Sequence, residues 1–123
     1  MKTILLVEDE SLLAQMYQDK FSQAGFKVIW SMEAEDALNV IEKEKIDLII
    51  LDMLLPRGNG IFFLEKLKKD SKMVKVSSIP VIAFSNYDDP TTRRQALELG
   101  AKDYLIKTDY TPKQIIDTIK KYI

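Results

Sequence analysis

Polar and apolar positions along this chain alternate between two rhythms. Short apolar runs at Lys2–Val7, Phe26–Trp30, Ile46–Leu51, Ile79–Phe84 and Asp103–Ile106 have the length and β-branched content of strands. Between them, apolar residues recur three and four positions apart, as on one face of a helix. Leu12, Leu13, Met16, Tyr17 and Phe21 predict a helix over Ser11–Ala24 that Gly25 ends. Ala34, Ala37, Leu38 and Ile41 predict a second over Met32–Glu44, and Ile61, Leu64 and Leu67 a third, with Lys66, Lys68 and Lys69 outward. Asp70–Ser78 reads as a polar loop, and Pro80 stands near the start of the fourth strand, where proline is tolerated. Asp89-Pro90 and Thr111-Pro112 are each a capping residue followed by proline at the first helical position. They predict a fourth helix carrying Ala96, Leu97 and Leu99 up to Gly100, and a last one with Ile115, Ile116 and Ile119 inward.

Strict strand–helix alternation implies a parallel sheet with helices on both faces and right-handed crossovers. The third run, Leu48-Ile49-Ile50-Leu51, has no polar alternation and reads as a strand buried on both faces. It drives into a lone acid, Asp52, before the chain breaks at Pro56, Gly58 and Gly60. In open α/β sheets the carboxyl ends of the strands hold the ligand site. By that rule strand one delivers Glu8 and Asp9, strand three Asp52, strand four Ser85 and strand five Lys107 to one edge. The second strand is left out.

Composition narrows the chemistry. With 123 residues, 46% of them apolar, the chain reads as a single domain over residues 1–123. A net charge of −1 provides no field for nucleic acid or an anionic membrane. The first apolar run is too short for a signal segment or a membrane span, so a cytoplasmic protein is expected. The absence of Cys and His excludes thiol catalysis, imidazole acid–base work and zinc sites of the usual kind. Three clustered carboxylates repel unless a cation lies among them, and an oxygen-only ligand set suits Mg²⁺ or Mn²⁺. A metal ion and Lys107 together make a pocket for one anion, for which a phosphoryl group is the natural candidate. Asp52 is then the candidate nucleophile, since carboxylates form acyl phosphates, and Ser85 a donor to a phosphoryl oxygen.

The acidic pair Glu8-Asp9, Asp52 with Pro56 four and Gly60 eight residues later, Ser85, and Lys107 with Tyr104 three before it form a specific set. With them the chain resembles the receiver domain of two-component response regulators, the CheY-like family, over essentially its whole length. The resemblance implies a flavodoxin-like (βα)5 sandwich with strand order 2-1-3-4-5. It makes Asp52 the acceptor of a phosphoryl group from a histidine on a sensor kinase or a histidine phosphotransfer protein. Mg²⁺ would be held by Asp9, Asp52 and the Leu54 backbone carbonyl, with Glu8 acting partly through water. Lys107 would pair with Asp52 and then with the phosphate. Ser85 would move inward on phosphorylation and Tyr104 swing into the space it leaves. The fourth helix, fifth strand and fifth helix would show the state to an output partner, in a monomer or a phosphorylation-dependent dimer. The domain would be a switch that catalyses only its own phosphorylation and dephosphorylation.

Two positions depart from the family pattern. Glu8 replaces the commoner Asp, and Thr108 stands where proline with a cis bond normally follows the lysine. Because a non-proline cis bond costs about 2.5–4 kcal/mol, the Lys107–Thr108 bond is either trans in an altered loop or a strained cis peptide. Leu54 and Tyr87, two residues beyond Asp52 and Ser85, are candidates for limiting water access; Met53 and Trp30 read as packing residues. Two other functions are weaker. A hydrolase of the haloacid dehalogenase type needs a second Asp two residues after the nucleophile, and Leu54 is there. An FMN carrier needs a hydroxyl- and glycine-rich loop after strand one, where Glu8-Asp9-Glu10 would repel phosphate.

Overall fold

A computed structural model describes residues 1–55, 60–69, 76 and 78–123. Strands β1 (Thr3–Val7), β2 (Lys27–Ser31), β3 (Leu48–Asp52), β4 (Val81–Ser85) and β5 (Asp103–Ile106) alternate with helices α1 (Ser11–Gln23), α2 (Ala34–Lys43), α3 (Gly60–Lys69), α4 (Pro90–Glu98) and α5 (Pro112–Lys120). All strand pairs are parallel, in the order β2-β1-β3-β4-β5. This is the expected flavodoxin-like topology. The expected loop over Asp70–Ser78, and Pro56 and Gly58, fall largely or wholly outside the described residues.

Alternation along each strand divides the core into two layers. Leu5, Val7, Ile49, Leu51, Ala83, Tyr104 and Ile106 pack under α2, α3 and α4. Ile4, Leu6, Leu48, Ile50, Ile82, Phe84 and Leu105 pack under α1 and α5. Every residue of β3 is buried, as its unbroken apolar run required. Both proline-led helices carry their caps. Asp89 accepts from the Thr91 N–H at 3.1 Å, and Thr111 and Gln114 bond reciprocally in a capping box. Gly25 and Gly100 end their helices at φ +95° and +104°, a left-handed conformation that side chains other than glycine rarely adopt. Gly60 serves a different need: a Cβ there would lie 2.8 Å from the Met53 Cα.

One expectation is corrected. Strands β3 and β4 extend one residue further, taking Asp52 and Ser85 into the sheet through the pairs Asp52↔Phe84 and Ser85↔Ile106. On α1, Leu12 and Met16 are exposed, and Ala14, Tyr17 and Phe21 face the sheet. At about 100° per residue Leu12 lies about 140° from Tyr17, so it shares the helical period without sharing the buried arc. At the end of β5, none of the described peptide bonds is cis. The Lys107–Thr108 bond is trans, and Lys107–Asp109 forms a 3-10 turn in place of the family's proline loop.

Candidate functional site

The parallel sheet brings Glu8, Asp52 and Lys107 together at its carboxyl edge. Lys107 Nζ donates to Glu8 Oε1 at 2.7 Å and to Asp52 Oδ2 at 3.2 Å. Glu8 is 1% exposed, Asp52 5% and Lys107 9%, so the three charges are removed from water and must satisfy one another. Asp52 Oδ1 accepts from the Leu54 N–H at 3.0 Å, and Glu8 Oε2 from the Glu10 N–H at 3.2 Å. Burial pushes the Asp52 carboxyl up to about 7, with the neighbouring Glu8 adding to the rise and the Leu54 amide and Lys107 opposing it. Burial alone would lower the Lys107 ammonium, but the hydrogen bond to Glu8 and the charges of Asp52 and Glu8 outweigh it and hold it above its ordinary value. Tyr17 packs edge-on against Phe84 with ring centroids 5.7 Å apart. Its phenol is raised by burial and by the site's carboxylates, against the pull of Lys107.

Glu8, Asp9 and Asp52 each offer one carboxylate oxygen, all within 4.8 Å of one another. This oxygen-only set fits a hard divalent cation. The Glu8 carboxylate, however, has its shortest hydrogen bond with Lys107. A carboxylate expected to act on the metal partly through water thus also anchors the lysine.

Ser85 and Tyr104 lie on the other side of the sheet, in register with the α2–α4 layer. Ser85 is buried, and its Oγ accepts from the Tyr87 N–H at 3.2 Å. The Asp52–Leu54 bond repeats this geometry on the neighbouring strand, side chain to backbone two residues on. Leu54 and Tyr87 themselves are exposed. The Tyr104 ring is already inward, 3% exposed, and its hydroxyl is buried without a hydrogen-bond partner among the described residues. Arg93 of α4 covers that ring at 4.8 Å, donates to the Tyr104 carbonyl at 3.4 Å and pairs with Asp88 at 3.1 Å.

One contributor lies on the strand that the strand-end rule leaves out. The Trp30 indole N–H, from edge strand β2, donates to the Glu8 backbone carbonyl at 2.7 Å. Its signal in the sequence is a lone tryptophan at the end of a strand beside the acidic pair, since a half-buried indole N–H needs an acceptor.

Residues 4–120 match the model of the response regulator receiver domain. The chain belongs to this family. PhoB of Escherichia coli, the phosphate regulon transcriptional regulatory protein, is 34% identical over 119 residues, 97% of this chain and 50% of that protein. PhoP of Bacillus subtilis, the alkaline phosphatase synthesis transcriptional regulatory protein, is 33% identical over 119 residues, 97% of this chain and 47% of that protein. The chain spans about half the length of these curated relatives. A CheY-like receiver domain of Methanospirillum hungatei has the same fold with a TM-score of 0.89 at 26% identity, over 98% of this chain and 92% of that one. The chemotaxis protein CheY4 of Vibrio cholerae also gives 0.89, at 23% identity, over 100% and 99% of the two chains. The protein is therefore a receiver domain of a two-component system, a signalling switch, and the dehalogenase alternative finds no support. Among the described residues no helix is long and apolar enough to cross a membrane.

Proposed function

We propose that residues 1–123 act as one receiver unit that accepts a phosphoryl group on Asp52 from a phosphohistidine of a partner kinase or phosphotransfer protein. The observation that carries this reading is the Lys107 ammonium held between Glu8 and Asp52 beside a three-carboxylate cluster. An Asp52 oxygen attacks phosphorus as the phosphorus–nitrogen bond breaks, and the departing imidazole keeps the electron pair. Lys107 keeps its charge, exchanging Asp52 Oδ2 for a phosphoryl oxygen. Asp9, Asp52, the Leu54 carbonyl and, partly through water, Glu8 would hold Mg²⁺, or Mn²⁺ in its place. The bound ion supplies neutralisation of charge on the transferring group. Ser85 turns from the Tyr87 amide to donate to a phosphoryl oxygen, which frees the β4–α4 loop to move against Tyr104. The domain catalyses only its own gain and loss of phosphate, with Leu54 and Tyr87 at the mouth limiting water. A cytoplasmic location suits a phosphohistidine donor.

The output surface is the face made by α4, β5 and α5. The matched relatives are transcriptional regulators about twice as long, so the proposed output is a segment or protein that recognises this face. Neither nucleic acid nor membrane contact is assigned to the domain itself. Incubation with Mg²⁺ and a small acyl phosphate, followed by intact mass, tests the reading. One phosphoryl adduct is expected, absent in Asp52→Asn; no adduct in the unmutated protein would overturn it.

A further inference from the structure

Two hydrogen bonds tie the Glu8 backbone to the edge strand β2. Its N–H donates to the Ser31 carbonyl at 3.0 Å, continuing the β1–β2 ladder, and its carbonyl accepts the Trp30 indole N–H at 2.7 Å. The second bond differs in kind from the first. β1 ends at Val7, one residue earlier, and a side chain therefore fixes the peptide where the ladder stops. That carbonyl belongs to the peptide joining Glu8 to Asp9, so its orientation sets the direction in which both acids leave the strand. The Glu8 carboxylate is in turn occupied at both oxygens, by Lys107 and by the Glu10 amide. A rigid chain of contacts runs from the indole through Glu8 to Lys107 and on to Asp52.

We infer that Trp30 is a positioning residue for the phosphoacceptor site, its indole N–H orienting the Glu8–Asp9 peptide so that the acidic pair meets a divalent cation and Lys107. The inference rests on the reading of Glu8 and Asp9 as metal-side acids. Groups that orient metal ligands from behind typically change metal affinity or activity by about 10–100-fold when removed. Trp30→Phe keeps an aromatic ring on the strand and deletes the donor. The chain has one tryptophan, so native indole emission reports on the surroundings of Trp30 alone.

The experiment titrates Mg²⁺ into the phosphate-free protein by calorimetry and follows indole emission in parallel. In the native chain a saturable emission change is expected at the calorimetric midpoint, and it should vanish in Asp9→Asn. In Trp30→Phe the Mg²⁺ dissociation constant should rise about tenfold. Phosphorylation by an acyl phosphate should then need correspondingly more Mg²⁺ while approaching the native rate at saturation. A variant that is merely less stable would lower the melting temperature and the maximal rate without moving the Mg²⁺ midpoint, which would overturn the inference. Native emission that ignores Mg²⁺ while calorimetry registers binding would overturn it too, without recourse to any variant. Native protein that binds no Mg²⁺ would instead remove the metal reading on which both stand.

Discussion

Lys107 and Arg93 are both cations that bond a carboxylate near the carboxyl edge of the sheet, at nearly equal distances. Lys107 lies 3.2 Å from Asp52, with side chains 5% and 6% exposed; Arg93 lies 3.1 Å from Asp88, with side chains 38% and 64% exposed. Geometry alone would rank the two pairs alike. Burial separates them. In the α1–α5 layer the three charges have lost their water, so removing one leaves the others stranded in a low dielectric. On the α4 side, water replaces whichever partner is removed, and exposed pairs contribute little. The same contrast holds for the groups beneath. Glu8 and Asp52 are bonded at both carboxylate oxygens, whereas the Tyr104 hydroxyl is buried without a partner among the described residues. A buried hydroxyl without a partner costs about 1–3 kcal/mol, a penalty that the charged cluster does not carry. One side of the edge is fully paired, and among the described residues the other leaves a buried hydroxyl unpaired.

The largest effect that could break this contrast belongs to Lys107. Lys107→Met should lose about 3–5 kcal/mol of stability near neutral pH in Mg²⁺-free buffer, because Glu8 and Asp52 are then buried together without a cation. Urea unfolding measures it, and a loss under about 1 kcal/mol would put Lys107 in the same class as Arg93.

Next comes pH. The folded Asp52 carboxyl sits at about 7, above its ordinary 3.8. The folded state therefore holds this proton more tightly than the unfolded one. The stability it contributes is fully present below about pH 4 and lost as pH rises through about 7. Asp52→Asn removes that dependence. Without Mg²⁺ it should gain on the native protein between about pH 5 and about pH 8, by at most on the order of 4 kcal/mol. Parallel unfolding curves with a constant difference across that range would refute the assignment.

Arg93→Ala should have the smallest effect. Losing an exposed ion pair and a cation–π contact over Tyr104 costs about 1 kcal/mol or less. The same urea titration sharpens the comparison: a cost approaching that of Lys107→Met would mean that the stacked guanidinium, not burial, decides what such a pair is worth.

Much of this arrangement was legible from the chain. The Leu48–Leu51 run, the capped prolines at Asp89 and Thr111, and the stops at Gly25 and Gly100 are local signals, and each forms the element it predicts. Leu12 and Met16 gave the helix but not its buried side, because helical period marks a face without saying which arc of it the sheet will cover. At Lys107–Thr108 local preference left two outcomes, and the chain takes the trans bond with a 3-10 turn. Trp30 read as a packing residue because nothing local reveals the acceptor of its indole, which comes from a residue 22 positions away.

The order of residues by itself determined the alternating elements, the parallel sheet, and hence that Glu8, Asp9, Asp52, Ser85 and Lys107 end at one edge. That much follows from strand direction, which short-range pattern and crossover handedness dictate. Only the tertiary structure decided which oxygen meets which proton. It made Glu8 the shorter partner of Lys107, divided the charged cluster and the Ser85–Tyr104 pair between opposite faces of the sheet, and added β2 to the site through Trp30. Those choices join residues as far as 99 positions apart in a space closed to water. Small differences in side-chain reach and register there decide between partners, and no local pattern in the chain encodes them.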